Sequence, residues 1–269
     1  MAKKLPQNLR YPRENFYGTL LSIFGVILWV ALVAVMVNVF YSNPRIFFLY
    51  CLYVVAFALF AFLSALFFRA YIYGHYVLIG PTQFPHLHEA VVDGAARLGL
   101  TPVPVTFVYN SNGLLNAFAR RLFGKRFVFL TSALIEVETD AQIRFVIGHE
   151  LGHHAAGHLN PYKNLMRLPG HFVPFLGRAY SRRRELTCDR VGAYLSEDLQ
   201  ACRSALNMLA CGCQRLNASL NCDAFEAQER LVPGFTGWLT LIFSRYPRTT
   251  RRVIEISKFF AQRPPLRGA

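Results

Sequence analysis

The chain has 269 residues, 54% of them hydrophobic and 16% charged, with a formal net charge of +14. That apolar share is too high for an ordinary soluble domain. The basic excess comes with no nucleic-acid module pattern, so attraction to an anionic lipid leaflet explains it better than nucleic acid does.

The apolar residues are concentrated at the front. Residues 15–44 carry no charged side chain, and neither do residues 46–68. Each stretch exceeds the roughly 20 residues a helix needs to cross a bilayer core. Spans are expected near 19–41 and 46–68, joined by Ser42-Asn43-Pro44-Arg45, where Pro44 breaks the helix. A cleaved signal peptide fits less well. The first apolar run is too long, no small-x-small cleavage site follows it, and a second run comes directly after. Lys3, Lys4, Arg10 and Arg13 precede the first span, whereas Arg45 alone lies between the spans. The positive-inside bias therefore predicts a cytoplasmic basic N-terminus over 1–18, a transmembrane hairpin over 19–68 and a cytoplasmic domain over 69–269. The six cysteines include no C-x-x-C pair, and in that compartment they read as reduced, small apolar residues.

In the domain, apolar residues recur at Leu87, Ala90, Val91, Ala95 and Leu98, predicting a helix over 86–98. Residues 103–109 alternate as a strand. Asn110-Ser111-Asn112-Gly113 is a turn signal, and 115–119 and 126–130 read as extended chain. Thr139 followed by Gln142 fits a capping box, and Asn160-Pro161 is expected to end that helical segment. Further helices are expected over 181–195 and 199–216. The apolar patches 159–181 and 231–243 do not read as membrane spans; the first is interrupted by Lys163, Arg167, Arg178 and prolines.

The chemistry is carried by His149-Glu150-Leu151-Gly152-His153 inside the capped segment. Histidines at i and i+4 emerge one turn apart on one helix face, so both imidazoles can reach one cation. Zinc accepts neutral imidazole nitrogen, and Glu150 beside the pair can take a proton from a water that the cation acidifies. A third protein ligand is needed. The metzincin pattern would place glycine at 156 and histidine at 159, but Ala156 and Leu159 stand there. A later helix offers Glu185 and Asp189, again i and i+4. One of them can ligate the metal while the other holds a ligand histidine through its ring N–H. The competing assignment pairs them with Arg182, Arg183, Arg184 and Arg190 on a solvated face. His158 could support a ligand histidine, but a surface position is the favoured reading; His75, His86, His88 and His171 have no partner spacing.

These motifs together resemble the HtpX-like and CAAX prenyl endopeptidase group of membrane metallopeptidases. The likeness runs through Asn116-Ala117-Phe118-Ala119, the 127–136 segment with Thr131, His149–His153 with Gly157-His158, and Ser181–Asp189, where Cys188 replaces the usual alanine. The resemblance implies a gluzincin-type zinc endopeptidase binding one Zn2+ per chain through His149, His153 and Glu185. Glu150 is then the general base, Asp189 the partner of a ligand histidine, and Asn116 a residue of the strand that aligns substrate. HtpX-type chains usually carry two more membrane segments between zinc helix and ligand helix, whereas here only the 31 residues after His153 intervene before Glu185. Where the family often has His-Pro followed by an arginine, this chain has Tyr246-Pro247 with Arg251 and Arg252. Tyr246 is thus the candidate catalytic donor and Arg252 a candidate transition-state stabiliser.

The expected fold is a mainly α membrane protein: a two-helix hairpin plus an α+β metallopeptidase domain with a small sheet. The expected function is hydrolysis of peptide bonds in membrane or membrane-associated proteins, for quality control or regulated processing. The partners are then protein or peptide substrates and the bilayer, without nucleic acid. The alternative is a catalytically inactive peptidase scaffold acting as a binding or regulatory protein. Glu150 argues against it, because a scaffold needs the metal ligands but not the base.

Overall fold

The computed structural model describes residues 5–262, a mainly helical chain with two long apolar N-terminal helices and a small mixed sheet. Lys3 and Lys4 of the basic N-terminus, and residues 263–269, lie outside the described residues. Helices α1 (Glu14–Ser42) and α2 (Pro44–His75) run well beyond the expected spans, and both are long and apolar enough to cross a membrane. At about 1.5 Å per residue each is longer than the ~30 Å hydrocarbon core. Most of their Val, Leu and Phe side chains stay uncovered by protein, Phe57 at 72% and Val30 at 64% exposed, which suits lipid as the surrounding solvent. The connection is tighter than a four-residue loop. Asn43 alone separates the helices, its side chain accepting from the Ile46 amide, and Pro44 takes the first helical position, where a missing N–H costs nothing.

Four strands follow: β1 (Val77–Leu78), then, after helix α3 (Pro85–Arg97), β2 (Val105–Tyr109), β3 (Ala117–Leu122) and β4 (Lys125–Thr131). Their order is β1-β2-β4-β3, with β2 and β4 parallel and the other pairs antiparallel. Pairing of β2 starts two residues later than expected, because Pro104 has no amide to donate. Phe123 and Gly124, both at positive φ, make the two-residue turn between β3 and β4. The outer strand β3 is bonded to β4 on one side, and its other edge meets no strand among the described residues. One sheet face is aromatic, with Phe107, Phe127 and Phe129 fully buried and stacked at ring separations of 5.9–6.4 Å. The opposite face packs Val108, Val128 and Leu130 into the main core.

That core is helical: α4 (Ser132–Val137), α5 (Asp140–Ala155), α6 (Pro161–Arg167), α7 (Leu176–Ser196), α8 (Leu199–Cys211), then the short α9 (Gln214–Ser219) and α10 (Cys222–Ala227), α11 (Gly234–Phe243) and α12 (Thr249–Ala261). The capping box at Thr139 and Gln142 forms as expected. Several elements differ from the sequence reading, and α7 begins at Leu176, five residues before the expected 181. α5 ends at Ala155, before Asn160-Pro161, because the chain turns at Gly157 with φ +77°; Asn160 instead caps α6. α8 stops at Cys211, where Gly212 takes the left-handed conformation that closes a helix. α12 had no counterpart in the periodicity, yet it buries Val253, Ile256 and Phe259. Neither apolar patch forms a helix long enough to span: α6 has 7 residues and α11 has 10.

The segment ahead of α1 is part of this core. Leu5, Leu9 and Tyr11 are buried, and the Tyr11 amide donates to Thr187 Oγ1 on α7 at 2.9 Å. Residues 5–11 and the helical core therefore lie at the same end of the α1–α2 hairpin.

Candidate metal centre and catalytic cavity

Two helices make the site, and glycine sets how closely they approach. A Cβ on Gly148 of α5 would stand 2.8 Å from the Gly192 Cα of α7, and one on Gly192 would meet the Phe145 carbonyl oxygen at 2.6 Å. Without side chains at this crossing the backbones come together, and the histidines of α5 face the carboxylates of α7 one to two turns along.

His149 turns Nε2 toward Glu185 Oε2 at 3.4 Å, and His153 turns Nε2 toward Glu185 Oε1 at 3.9 Å. The Nδ1 atoms face away to partners that set the ring orientations. His149 Nδ1 meets Asp189 Oδ1 at 2.9 Å, so the proton lies on Nδ1 and the Nε2 lone pair is aimed at the cluster. Asp189 also accepts from Arg252 Nε at 2.8 Å and Nη2 at 2.6 Å. Arg252, expected to serve the transition state, thus has two of its donors committed to Asp189.

His153 is oriented by a residue that the sequence reading placed on the surface. His158 is 1% exposed, and its Nδ1 lies 3.2 Å from His153 Nδ1. The surface assignment fails because α5 ends early: the turn at Gly157 brings His158 back, its amide donating to the His153 carbonyl, and tucks the ring beneath His153. His158 Nε2 is 3.1 Å from Glu14 Oε1 at the start of α1. Glu14 is itself held by Arg10 at 2.6 Å and by the Thr187 hydroxyl. A carboxylate that must accept from Nε2–H leaves His158 Nδ1 as an acceptor. It takes the proton of His153 Nδ1–H and frees His153 Nε2 for the cluster. Glu14 and Thr187 had no motif signal, and Gly157-His158 was the one visible hint.

Glu150, Glu185 and both histidines open onto a cavity of about 440 Å³. Its walls include Asn116, Ala117, Phe118 and Ala119 at the start of β3, together with Tyr246, Arg245 and Arg252. Asn116 is fixed through its backbone, its amide and carbonyl both bonded to Thr131 at 3.1 Å. Tyr246 stands at the rim, 62% exposed, its amide on Ser244 Oγ. His154 leaves α5 on another face and bonds the Phe127 carbonyl at 3.0 Å, tying the helix to β4.

Burial pushes the Glu150 carboxyl up to about 7, against the pull of His149. Burial also raises Glu185, but His149 and His153 outweigh it and bring Glu185 to about 2; Asp189 is brought to about 2 chiefly by Arg252. Burial holds His153 well below its ordinary value, in the neutral form a metal requires. For His149 burial acts downward, but the Asp189 and Glu185 carboxylates override it and favour the cation. A bound divalent ion would take the place of that proton between imidazole and carboxylate.

Cys188 is a competing third ligand, its Sγ within 4.8 Å of ring nitrogens of His149 and His153. Its surroundings argue against it. The thiol sits behind the rings, 3.6 Å from His158 Nδ1, it does not line the cavity, and burial holds it far from the thiolate form. Glu185 faces the Nε2 atoms from the cavity side. Its 3.4 Å separation from His149 Nε2 also fits the group, because donors on ~2.0–2.1 Å bonds of a tetrahedral ion stand about 3.3–3.4 Å apart; the 3.9 Å to His153 Nε2 is longer than that.

Residues 81–173 match the Peptidase family M48 model. Over that stretch the chain is similar to peptidase family M48. This family of zinc metalloendopeptidases is the one the combined motifs resembled. The plastoglobule-localized metallopeptidase 48, chloroplastic, of Arabidopsis thaliana is 32% identical over 171 residues, covering 58% of this chain and 49% of that protein. The chain thus spans about half the length of that relative. In the M48 segment lie α3, the sheet from β2 onward and all of α5; the carboxylates of α7 come after it.

Proposed function

We propose that the protein is a membrane-anchored zinc endopeptidase of gluzincin type. The observation that carries this is the convergence of His149 Nε2, His153 Nε2 and the Glu185 carboxylate at one end of a cavity that also holds Glu150 and the open side of β3. His149, His153 and Glu185 would hold one zinc ion, which supplies Lewis acidity toward a water and a peptide carbonyl. The rest is done by the chain. A substrate strand adds to the free edge of β3, which presents its scissile bond to the cavity. Glu150, kept near neutrality by burial, takes the proton of the attacking water and passes it to the leaving amine. Tyr246 on the rim is placed to donate to the oxygen that gains charge. Asp189 and His158 keep the two imidazoles aimed.

The topology that fits is the hairpin in the bilayer with the peptidase core on the cytoplasmic side. Arg10 and Arg13 before α1 against Arg45 alone at the tip support that orientation. Substrates are then membrane or membrane-associated proteins. A scaffold without activity is the competing class, and one comparison separates them. Glu150→Gln should keep about one zinc per chain and lose cleavage of an unfolded protein substrate, whereas His149→Ala should lose the zinc as well. Full turnover in Glu150→Gln refutes the mechanism, and a wild type that holds zinc but cleaves nothing favours the scaffold.

A further inference from the structure

The lining of the cavity also includes Glu138, a carboxylate that the mechanism does not use. Glu138 closes α4, immediately before the Thr139 cap of α5. It is 7% exposed, and both its carboxylate oxygens are hidden from water with no hydrogen-bond partner among the described residues. The lining of the same cavity also includes the apolar residues Leu134, Phe145, Val146, Ala205 and Leu209. Other buried carboxylates nearby are satisfied, Asp189 by Arg252 and His149, and Glu14 by Arg10, Thr187 and His158. An acid left alone in such a place is expensive, and native structures supply such groups with a partner. Burial accordingly pushes its pKa up to about 7.

Resting on the peptidase reading above, we propose that Glu138 and these apolar residues form a specificity subsite of the cavity for a basic side chain of the substrate, with Glu138 pairing the ammonium of lysine or the guanidinium of arginine. The chemistry of the wall matches both parts of such a side chain. The apolar residues cover the methylene stem, and the unpaired Glu138 carboxylate meets the charge at its end. Val146 lies one helical turn before Glu150 on α5 and lines the same cavity, so the subsite and the catalytic base share one rigid element. A residue flanking the scissile bond can therefore reach it while its backbone is held on β3.

The test uses the full-length, zinc-loaded protein in detergent. Matched quenched-fluorescent peptides carry lysine, norleucine or glutamate at each position flanking the cleaved bond. At one position the wild type should prefer lysine over norleucine by at least about 30-fold in kcat/KM, the lower end of what truncating one member of a buried charge pair costs. Glutamate there should be the worst. Glu138→Gln, nearly isosteric, should bring the lysine-to-norleucine ratio toward one. Zinc content and thermal melting check that this variant is folded. A second measurement is independent of turnover: in the Glu150→Gln protein, anisotropy should show the lysine peptide bound more tightly than the norleucine peptide, and Glu138→Gln added to it should erase the difference. Wild type that cleaves peptides with no basic preference at any position overturns the subsite and leaves the peptidase reading standing. So does a preference that survives Glu138→Gln. Wild type that cleaves none of the peptides and binds none overturns both.

Discussion

Asp189 offers the sharpest perturbation of the metal centre. Its side chain is nearly inaccessible and accepts three hydrogen bonds, one from His149 Nδ1 and two from Arg252. Asp189→Ala does two things. It removes the acceptor that orients His149, which typically lowers metal affinity about 10- to 100-fold. It also leaves the buried Arg252 guanidinium without its counter-charge, a change that costs on the order of 3–5 kcal/mol of folding stability. Asp189→Asn keeps the shape and one acceptor but loses the charge, so both effects should be smaller and of the same sign. Arg252→Met separates the two roles of the arginine. If the arginine acts through Asp189, the variant loses stability while zinc affinity changes little, because His149 keeps its carboxylate. If it serves the transition state directly, kcat falls by about 100-fold or more with zinc content unchanged. Zinc affinity would be measured by chelator competition and stability by melting with and without zinc. Asp189→Ala that binds zinc and melts like the wild type would show that the buried carboxylate orients nothing.

Three further outcomes are expected. His158→Ala should lower zinc affinity about 10- to 100-fold by leaving His153 Nδ1–H without its acceptor, and Glu14→Gln should do so more weakly; wild-type affinity in both would break the chain from α1 to the metal ligand. Tyr246→Phe should keep zinc and lose about 100-fold in kcat; unchanged turnover would assign Tyr246 to the rim alone. With Cys213 replaced, a cysteine at Ser42 should react with an impermeant reagent from outside the cell and one at the exposed Glu89 should not; the reverse pattern refutes the orientation.

What could be read from the sequence was what depends on local rules. The two long apolar helices follow from uninterrupted apolar runs, the start of α5 from Thr139 and Gln142, and the pairing of His149 with His153 from helical spacing. What could not be read depends on where a chain turn sends a side chain. His158 looked exposed because the helix carrying it seemed to continue to Asn160. Gly157 ends that continuation, and a lone glycine before a histidine does not announce it. Glu14 fell within the basic N-terminal segment ahead of the first expected span, and nothing local links it to a histidine 144 residues later. Arg252 had the right offset for one role, and tertiary packing engaged it with Asp189. Helix α12, short and basic at its start, hides its apolar face among charges until α7 and α8 cover it.

The same contacts bear on how deep the site lies. Glu14, the first residue of α1, supports His158 beneath the metal ligands, so the cluster sits level with the near end of that helix. From there α6 and the turn Pro169–Phe172 follow α1 toward its middle. Arg167 Nε donates to Ser22 Oγ at 3.0 Å, and Trp29 Nε1 donates to the Leu165 carbonyl at 3.0 Å. Trp29 lies fifteen residues past Glu14, about 22 Å along the helix. On the reading that α1 spans the bilayer, the segment between α5 and α7 is then partly immersed. Its uncovered side chains suit that: Tyr162, Leu165, Leu168 and Phe172 are all more than half exposed, Phe172 at 86%. Lys163 and Arg167 are its Lys/Arg residues, and the Arg167 head, which pairs with Ser22 and Tyr180, is satisfied within the protein. A cavity at this level, next to an apolar segment that follows the anchor inward, is reached most directly by a chain emerging from the same membrane. That favours substrates tethered to the bilayer over soluble ones.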